Sequence, residues 1–160
     1  MKSYHILDCD KQQKIADSLY GYYVGITANR ELKDFWNNLS RKEIQDYFSI
    51  PNNPCKEWFG SLGLKVRDMS FTIYNEDIGT DIHRDEPPVI AKINFPVLNT
   101  KDTYNVWFDD YAKEIDRVEC DKSIVLRSDI LHTVEIGKNA KYPRIQFSFC
   151  FYDEPLQLLK

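Results

Sequence analysis

The chain has 160 residues, a formal net charge of -4 and a sequence pI near 5.4, which disfavours general attraction to a nucleic-acid backbone while leaving contact with a single flipped base open. Hydrophobic residues make up 42% and charged residues 29%, the balance of a globular protein that folds around a packed core. That length suits one domain over residues 1–160 and leaves no room for a second catalytic unit.

In chain order, residues 4–10 read as a short strand or extended lead-in, with His5 structural. Residues 11–23 place Ile15, Leu19 and Tyr22 or Tyr23 at helical spacing, with Asp10 as the expected N-cap. Residues 31–48 carry an apolar stripe of Leu32, Phe35, Trp36, Leu39, Ile44, Tyr47 and Phe48, and the Ser40/Glu43 pair reads as a capping box. Two further helices are therefore expected there. Residues 51–54 form a loop by their proline and asparagine content, close to the end of a helical part spanning about 11–59.

Beyond it the period becomes two. Strands are expected at 71–74, 89–97, 104–108, 123–126, 132–136 and 144–152. In 89–97, Val89, Ala91, Ile93, Phe95 and Val97 share one face while Lys92 and Asn94 share the other. In 144–152, Ile145, Phe147, Phe149 and Phe151 oppose Arg144, Gln146, Ser148 and Cys150. Helices first and short strands afterwards predict an α+β fold with helices covering one face of an antiparallel sheet. Residues 156–160 form a C-terminal extension with no assigned role.

Cys9, Cys55, Cys120 and Cys150 are scattered without a CxxC pair, so neither a zinc-ribbon pattern nor a disulfide framework is visible. The first residues lack the apolar run of a signal peptide, and no stretch approaches the ~20 apolar residues of a membrane span. The expectation is a cytoplasmic protein with no membrane contact.

The chemistry concentrates in His83-Arg84-Asp85, preceded by a turn over 76–80 that contains Gly79. On an extended segment His83 and Asp85 point to the same side, so both can reach one metal ion. Alone, an H-x-D triplet is a weak signal. It gains weight from His132, which opens an apolar strand, and from Arg144 a dozen residues later on the polar face of the last strand. Two imidazoles and a carboxylate suit one face of an iron(II) ion, and arginine is the side chain that grips a carboxylate with two parallel hydrogen bonds.

The order H-x-D, distant histidine, then arginine resembles the iron(II)- and 2-oxoglutarate-dependent oxygenases, nearest to the small prolyl-hydroxylase-like members and to short oxygenases of phage genomes. The likeness covers roughly residues 71–152. It implies a double-stranded β-helix, a cupin-like jelly roll, over about 71–152, with the N-terminal helices packed on the larger sheet. It also implies His83, Asp85 and His132 as iron ligands, with 2-oxoglutarate chelating the metal and meeting Arg144 through its far carboxylate. Tyr74 takes the place of an assisting tyrosine, and Ser148 and Asn94 are candidates for further hydrogen bonds. The implied reaction consumes dioxygen, decarboxylates 2-oxoglutarate to succinate and hydroxylates an unidentified small molecule, peptide or single base.

Two departures weaken a base-demethylase assignment: the interval from Tyr74 to Gly79 is long, and the second arginine of those relatives is missing. Arg127 is expected in a salt bridge or a substrate-anion contact, and Arg84, Glu86 and Trp107 are candidates for the pocket mouth. Two other classes keep the same ligands: a non-catalytic jelly-roll module that binds metal or ligand without turnover, and a zinc hydrolase. The hydrolase has no use for Arg144.

Overall fold

A computed structural model of the chain describes residues 2–28, 35–78, 81–87 and 89–160. Strand β1 (Tyr4–Ile6) and helix α1 (Gln12–Thr27) lead into strand β2 (Trp36–Asn38) and helices α2 (Arg41–Phe48) and α3 (Pro54–Ser61). Strands β3 (Val66–Tyr74), β4 (Ala91–Leu98), β5 (Thr103–Phe108), β6 (Glu114–Glu119), β7 (Ile124–Arg127), β8 (His132–Ile136) and β9 (Arg144–Phe151) follow, then a 3-10 turn at Leu156–Leu159. The strands form a large sheet in the order β1-β7-β4-β9-β3-β2 and a small sheet in the order β6-β5-β8. Every pairing is antiparallel, so the architecture is α+β.

The alternation in the three central strands divides the large sheet into two chemically different faces. On one face, Met69, Phe71 and Ile73 of β3, Ala91, Ile93 and Phe95 of β4, and Ile145, Phe147, Phe149 and Phe151 of β9 join the main core. The register sets Phe147 opposite both Phe71 and Phe95, which lays a row of rings across three strands. The helices close over that row: Phe59 of α3 meets Phe149 and Phe151 edge-on at 4.9 and 5.0 Å, and Trp58 meets Phe95 at 5.6 Å. Each such ring removed from water contributes roughly 1.5–3 kcal/mol, so this layer dominates the stabilisation of the sheet. The other face carries Thr72, Lys92, Asn94, Arg144, Gln146 and Ser148, all buried and all polar, against a cavity that the small sheet helps to line.

Local signals explain the helix starts. Ser40 caps α2: its hydroxyl accepts from the Glu43 amide at 3.1 Å, and the Glu43 carboxylate accepts from the Ser40 amide at 2.9 Å. Ser40→Ala removes half of that box, and an unfolding free energy lower by about 1 kcal/mol is expected in urea denaturation. Asn53 caps α3 by accepting from the amides of Cys55 and Lys56, and Pro54 enters the first turn, where its missing N–H is harmless. The proline pattern of 51–54 thus opens a helix as well as marking a turn.

Several expectations are corrected. Residues 36–38 are a strand, not helix: β2 pairs with β3 through Trp36↔Thr72 and Asn38↔Ser70. The bulky Trp36 is well suited to an extended edge, and that pairing outweighs the helical spacing of its neighbours. The earlier part of that expected helix, including Glu31 and Leu32, lies outside the described residues, as do Gly79 and Thr80 of the expected turn. Lys11, not Asp10, occupies the N-cap of α1, without a side-chain cap bond. Strand β6, which the apolar pattern did not predict, is a charged edge with Glu114, Asp116, Arg117 and Glu119, the composition that protects an edge from further pairing. The C-terminal extension has a packing role, because Leu159 is fully buried in the core. Among the described residues no helix is long and apolar enough to cross a membrane.

Candidate metal centre

His83 lies on the segment between β3 and β4 and forms an isolated antiparallel bridge with His132, the first residue of β8. Its amide donates to the His132 carbonyl at 3.0 Å and the His132 amide returns the bond at 2.8 Å. Directly opposed residues carry their side chains to the same side, so the imidazoles stand together with ring centroids 4.5 Å apart. Two residues on, the Asp85 amide donates to the Ser128 carbonyl at 2.8 Å, which brings its carboxylate to the same place.

Both rings are held by their inner nitrogens. His83 Nδ1 lies 2.8 Å from the Asp81 carbonyl and His132 Nδ1 lies 2.7 Å from the Ile130 carbonyl. A carbonyl oxygen only accepts, so Nδ1 carries the hydrogen in each ring and Nε2 is the atom presented inward. The two Nε2 atoms lie 3.6 and 3.5 Å from Asp85 Oδ1, and one ligand atom from each residue falls within 4.8 Å of the others. Donors about 2.0–2.2 Å from a shared ion stand roughly 3–3.6 Å apart, so the two spacings to Asp85 are close to what a shared ion requires. With Nε2 free of a proton, the donor set of two imidazoles and one carboxylate fits a divalent transition metal.

The second Asp85 oxygen, Oδ2, accepts from Lys92 Nζ at 2.8 Å. Burial alone would push the Asp85 carboxyl up, but the contacts with His132 and His83 and the charge and hydrogen bond of Lys92 outweigh it and hold the group well below the usual carboxylate range. The same carboxylate, by hydrogen bonding, raises His83 above an ordinary histidine, against the opposing effect of burial.

The triad borders a cavity of about 790 Å3 that also receives Arg144 and Tyr74. Arg144 is only 1% exposed. Its Nη2 donates to Gln146 Oε1 at 2.7 Å, its Nε to Thr103 Oγ1 at 3.2 Å and its Nη1 to Thr72 Oγ1 at 3.4 Å, while the Tyr74 ring lies 5.2 Å from the guanidinium carbon. All these partners are neutral, and among the described residues no carboxylate pairs with Arg144. A buried cation balanced only by dipoles is costly, and an anion in the cavity would relieve that cost. Nearby, Ser148 donates to Asn94 Oδ1 at 2.7 Å, and Asn105 Nδ2, also on the cavity wall, has no hydrogen-bond partner among the described residues.

Other sequence candidates fall elsewhere. Arg127 is held by Asp129 through contacts of 2.9 and 2.6 Å, the salt-bridge alternative of the two expected for it. Trp107 is not at a pocket mouth: it is fully buried in a small second core with Ile124 and Leu126, stacks on Tyr4 and donates to the Arg127 carbonyl. Arg84 turns outward to Asp110 and does not line the cavity, whereas Glu86 does. Sequence reasoning missed Thr72, Asn105 and Trp36 as cavity residues. Alternation along β3 could have found Thr72, since it lies two residues before Tyr74, but Trp36 carried the signature of a helix.

No protein-family model matches the sequence, and no curated protein does. Solved structures share the fold at low identity. A prolyl-4-hydroxylase from Pseudomonas putida aligns with a TM-score of 0.58 and 11% identity over 93% of this chain and 91% of that one. AviO1 from Streptomyces viridochromogenes Tue57 aligns with a TM-score of 0.53 and 9% identity over 96% and 91%. EvdMO1 aligns with a TM-score of 0.60 and 10% identity over 94% of this chain but 47% of its own length, so this chain spans about half of it.

Proposed function

We propose that this chain is an iron(II)- and 2-oxoglutarate-dependent oxygenase that hydroxylates a substrate in a double-stranded β-helix formed by residues of about 71–152, within one domain over 1–160. The observation that carries the proposal is the pairing of the His83/Asp85/His132 triad with the guanidinium of Arg144, which no described carboxylate pairs with, on the wall of one cavity. The fold likeness to a prolyl-4-hydroxylase supports the reading at the level of architecture.

His83 Nε2, His132 Nε2 and Asp85 Oδ1 would hold iron(II), which when bound supplies the redox chemistry that couples dioxygen to 2-oxoglutarate and substrate. The balance is 2-oxoglutarate plus dioxygen plus a C–H bond giving succinate, carbon dioxide and an alcohol, with one oxygen atom going to succinate and one to the substrate. Arg144 receives the far carboxylate of 2-oxoglutarate in its fork, replacing balance by dipoles with balance by charge. Thr72, Thr103 and Gln146 fix the plane of that fork, and the Tyr74 ring packs beside it. Asn105 offers to the same space a donor with no partner among the described residues, and the Asn94–Ser148 pair lines the wall. The substrate is a small molecule, a peptide or a single base, and the reducing cytoplasm suits an iron(II) site.

The test is succinate and carbon dioxide release by the purified protein with iron(II), 2-oxoglutarate and dioxygen, with and without added substrate. Succinate above the protein-free rate is expected even without substrate, from uncoupled turnover. Tight zinc with indifference to 2-oxoglutarate would replace the proposal with a hydrolase, and 2-oxoglutarate binding without turnover would replace it with a binding module.

A further inference from the structure

We infer that Lys92 is a positioning residue that makes Asp85 a one-oxygen ligand and so keeps a coordination position open at the metal, an inference that rests on the proposed metal centre. A free carboxylate can offer one oxygen or both. Three protein donors leave three of six octahedral positions, enough for a two-point co-substrate and dioxygen. Were Asp85 to chelate through both oxygens, only two would remain and dioxygen would have none.

The structure divides the Asp85 carboxylate between two tasks. Oδ1 lies 3.5 and 3.6 Å from the two imidazole nitrogens, and Oδ2 is taken by Lys92 Nζ at 2.8 Å. The lysine is itself fixed. Its side chain is 7% exposed, its strand position is set by the pairing Lys92↔Leu126, and its ammonium lies 5.2 Å from the centre of the Trp36 ring. The indole is steadied in turn by its Nε1 donating to Asn38 Oδ1 at 3.1 Å. A line of contacts thus runs from β2 through Trp36 and Lys92 to the far oxygen of Asp85. Swinging Oδ2 toward the metal would break a charge-assisted hydrogen bond and strand a buried ammonium.

The test uses the full-length protein loaded with Co(II), whose visible absorption reports coordination number and geometry, with affinity measured by titration calorimetry. Lys92→Met is expected to change the shape and intensity of the Co(II) spectrum and to weaken binding about 10–100-fold, the usual effect of losing an outer-shell partner. Lys92→Arg, which keeps a buried cationic donor, is expected to recover most of the wild-type spectrum. Lys92→Met with wild-type affinity and spectrum would overturn the inference, and so would weaker binding with an unaltered spectrum, because loss of packing or charge alone gives that result. Failure of the wild-type protein to bind Co(II) would overturn the metal centre itself, so the two failures are told apart by which protein shows them.

Discussion

On the proposed reading, Asp85→Ala removes a direct ligand and is expected to reduce iron-dependent succinate formation by more than about a hundredfold, because direct ligands matter more than the outer-shell partners whose loss already lowers metal affinity or activity about 10–100-fold. Asp85 is the anionic member of the triad, so its removal also takes away the charge that opposes the metal's own. A second penalty follows from Lys92, whose buried ammonium would be left 2.8 Å from an empty place and close to an incoming cation. Breaking one side of such a pair costs roughly 3–5 kcal/mol, so a fall in melting temperature is expected alongside the loss of turnover. Two companions separate folding from ligation. Asp85→Ala combined with Lys92→Met relieves the stranded charge and restores stability without activity. His132→Ala removes an imidazole while leaving the Asp85–Lys92 pair intact, and it is expected to lose succinate formation to a similar degree. Full activity in Asp85→Ala would show that the triad does not hold the iron.

Arg144→Met is expected to move binding and stability in opposite directions. On the proposed reading, the guanidinium supplies charge-assisted hydrogen bonds to the far carboxylate of 2-oxoglutarate, each worth about 1.5–3 kcal/mol, so half-saturation by 2-oxoglutarate should rise roughly 10–100-fold. The maximal rate at saturation should change far less, since on that reading the arginine holds only the far carboxylate. Without 2-oxoglutarate, however, the wild-type residue is a buried cation among Gln146, Thr103 and Thr72, and the shorter, uncharged methionine removes that burden. The ligand-free variant should therefore melt at or above the wild-type temperature, while 2-oxoglutarate, which raises the wild-type melting temperature by binding the folded state, should lose most of that effect. An unchanged 2-oxoglutarate requirement would remove Arg144 from the site.

Much of this was legible in the sequence where one physical signal dominated. The alternation in 144–152 placed Ile145, Phe147 and Phe149 on the buried apolar face and Arg144, Gln146 and Ser148 on the opposite one, as the structure has them, because a two-residue period leaves no third choice. His83, Asp85 and His132 come together through the backbone bridge of the two histidines, a pairing between distant segments that no local pattern encodes. The spacing of Trp36 to Phe35 and Leu39 imitates a helix, while the partner that makes it a strand, Thr72, is remote in sequence. Strand β6 was invisible since its charged residues show no apolar period, and its neighbour β5 supplies the pairing. Alternation puts Lys92 on the polar face, but its bond to Asp85 joins two segments that no local pattern relates.

The two faces of β3, β4 and β9 have one further consequence. The polar wall of the cavity has no scaffold of its own, because Arg144, Gln146 and Ser148 alternate along one strand with the rings that hold it down. A slip of β9 by one residue against β3 would carry the guanidinium into the aromatic layer and a phenylalanine into the cavity. The interlocked rings of Phe71, Phe95 and Phe147 are thus a ratchet that fixes the phase of the site, and inheritable variation along these strands should itself run with a period of two. Change in what the cavity accepts can accumulate at the polar positions, while each aromatic position between them is locked by the phase it keeps.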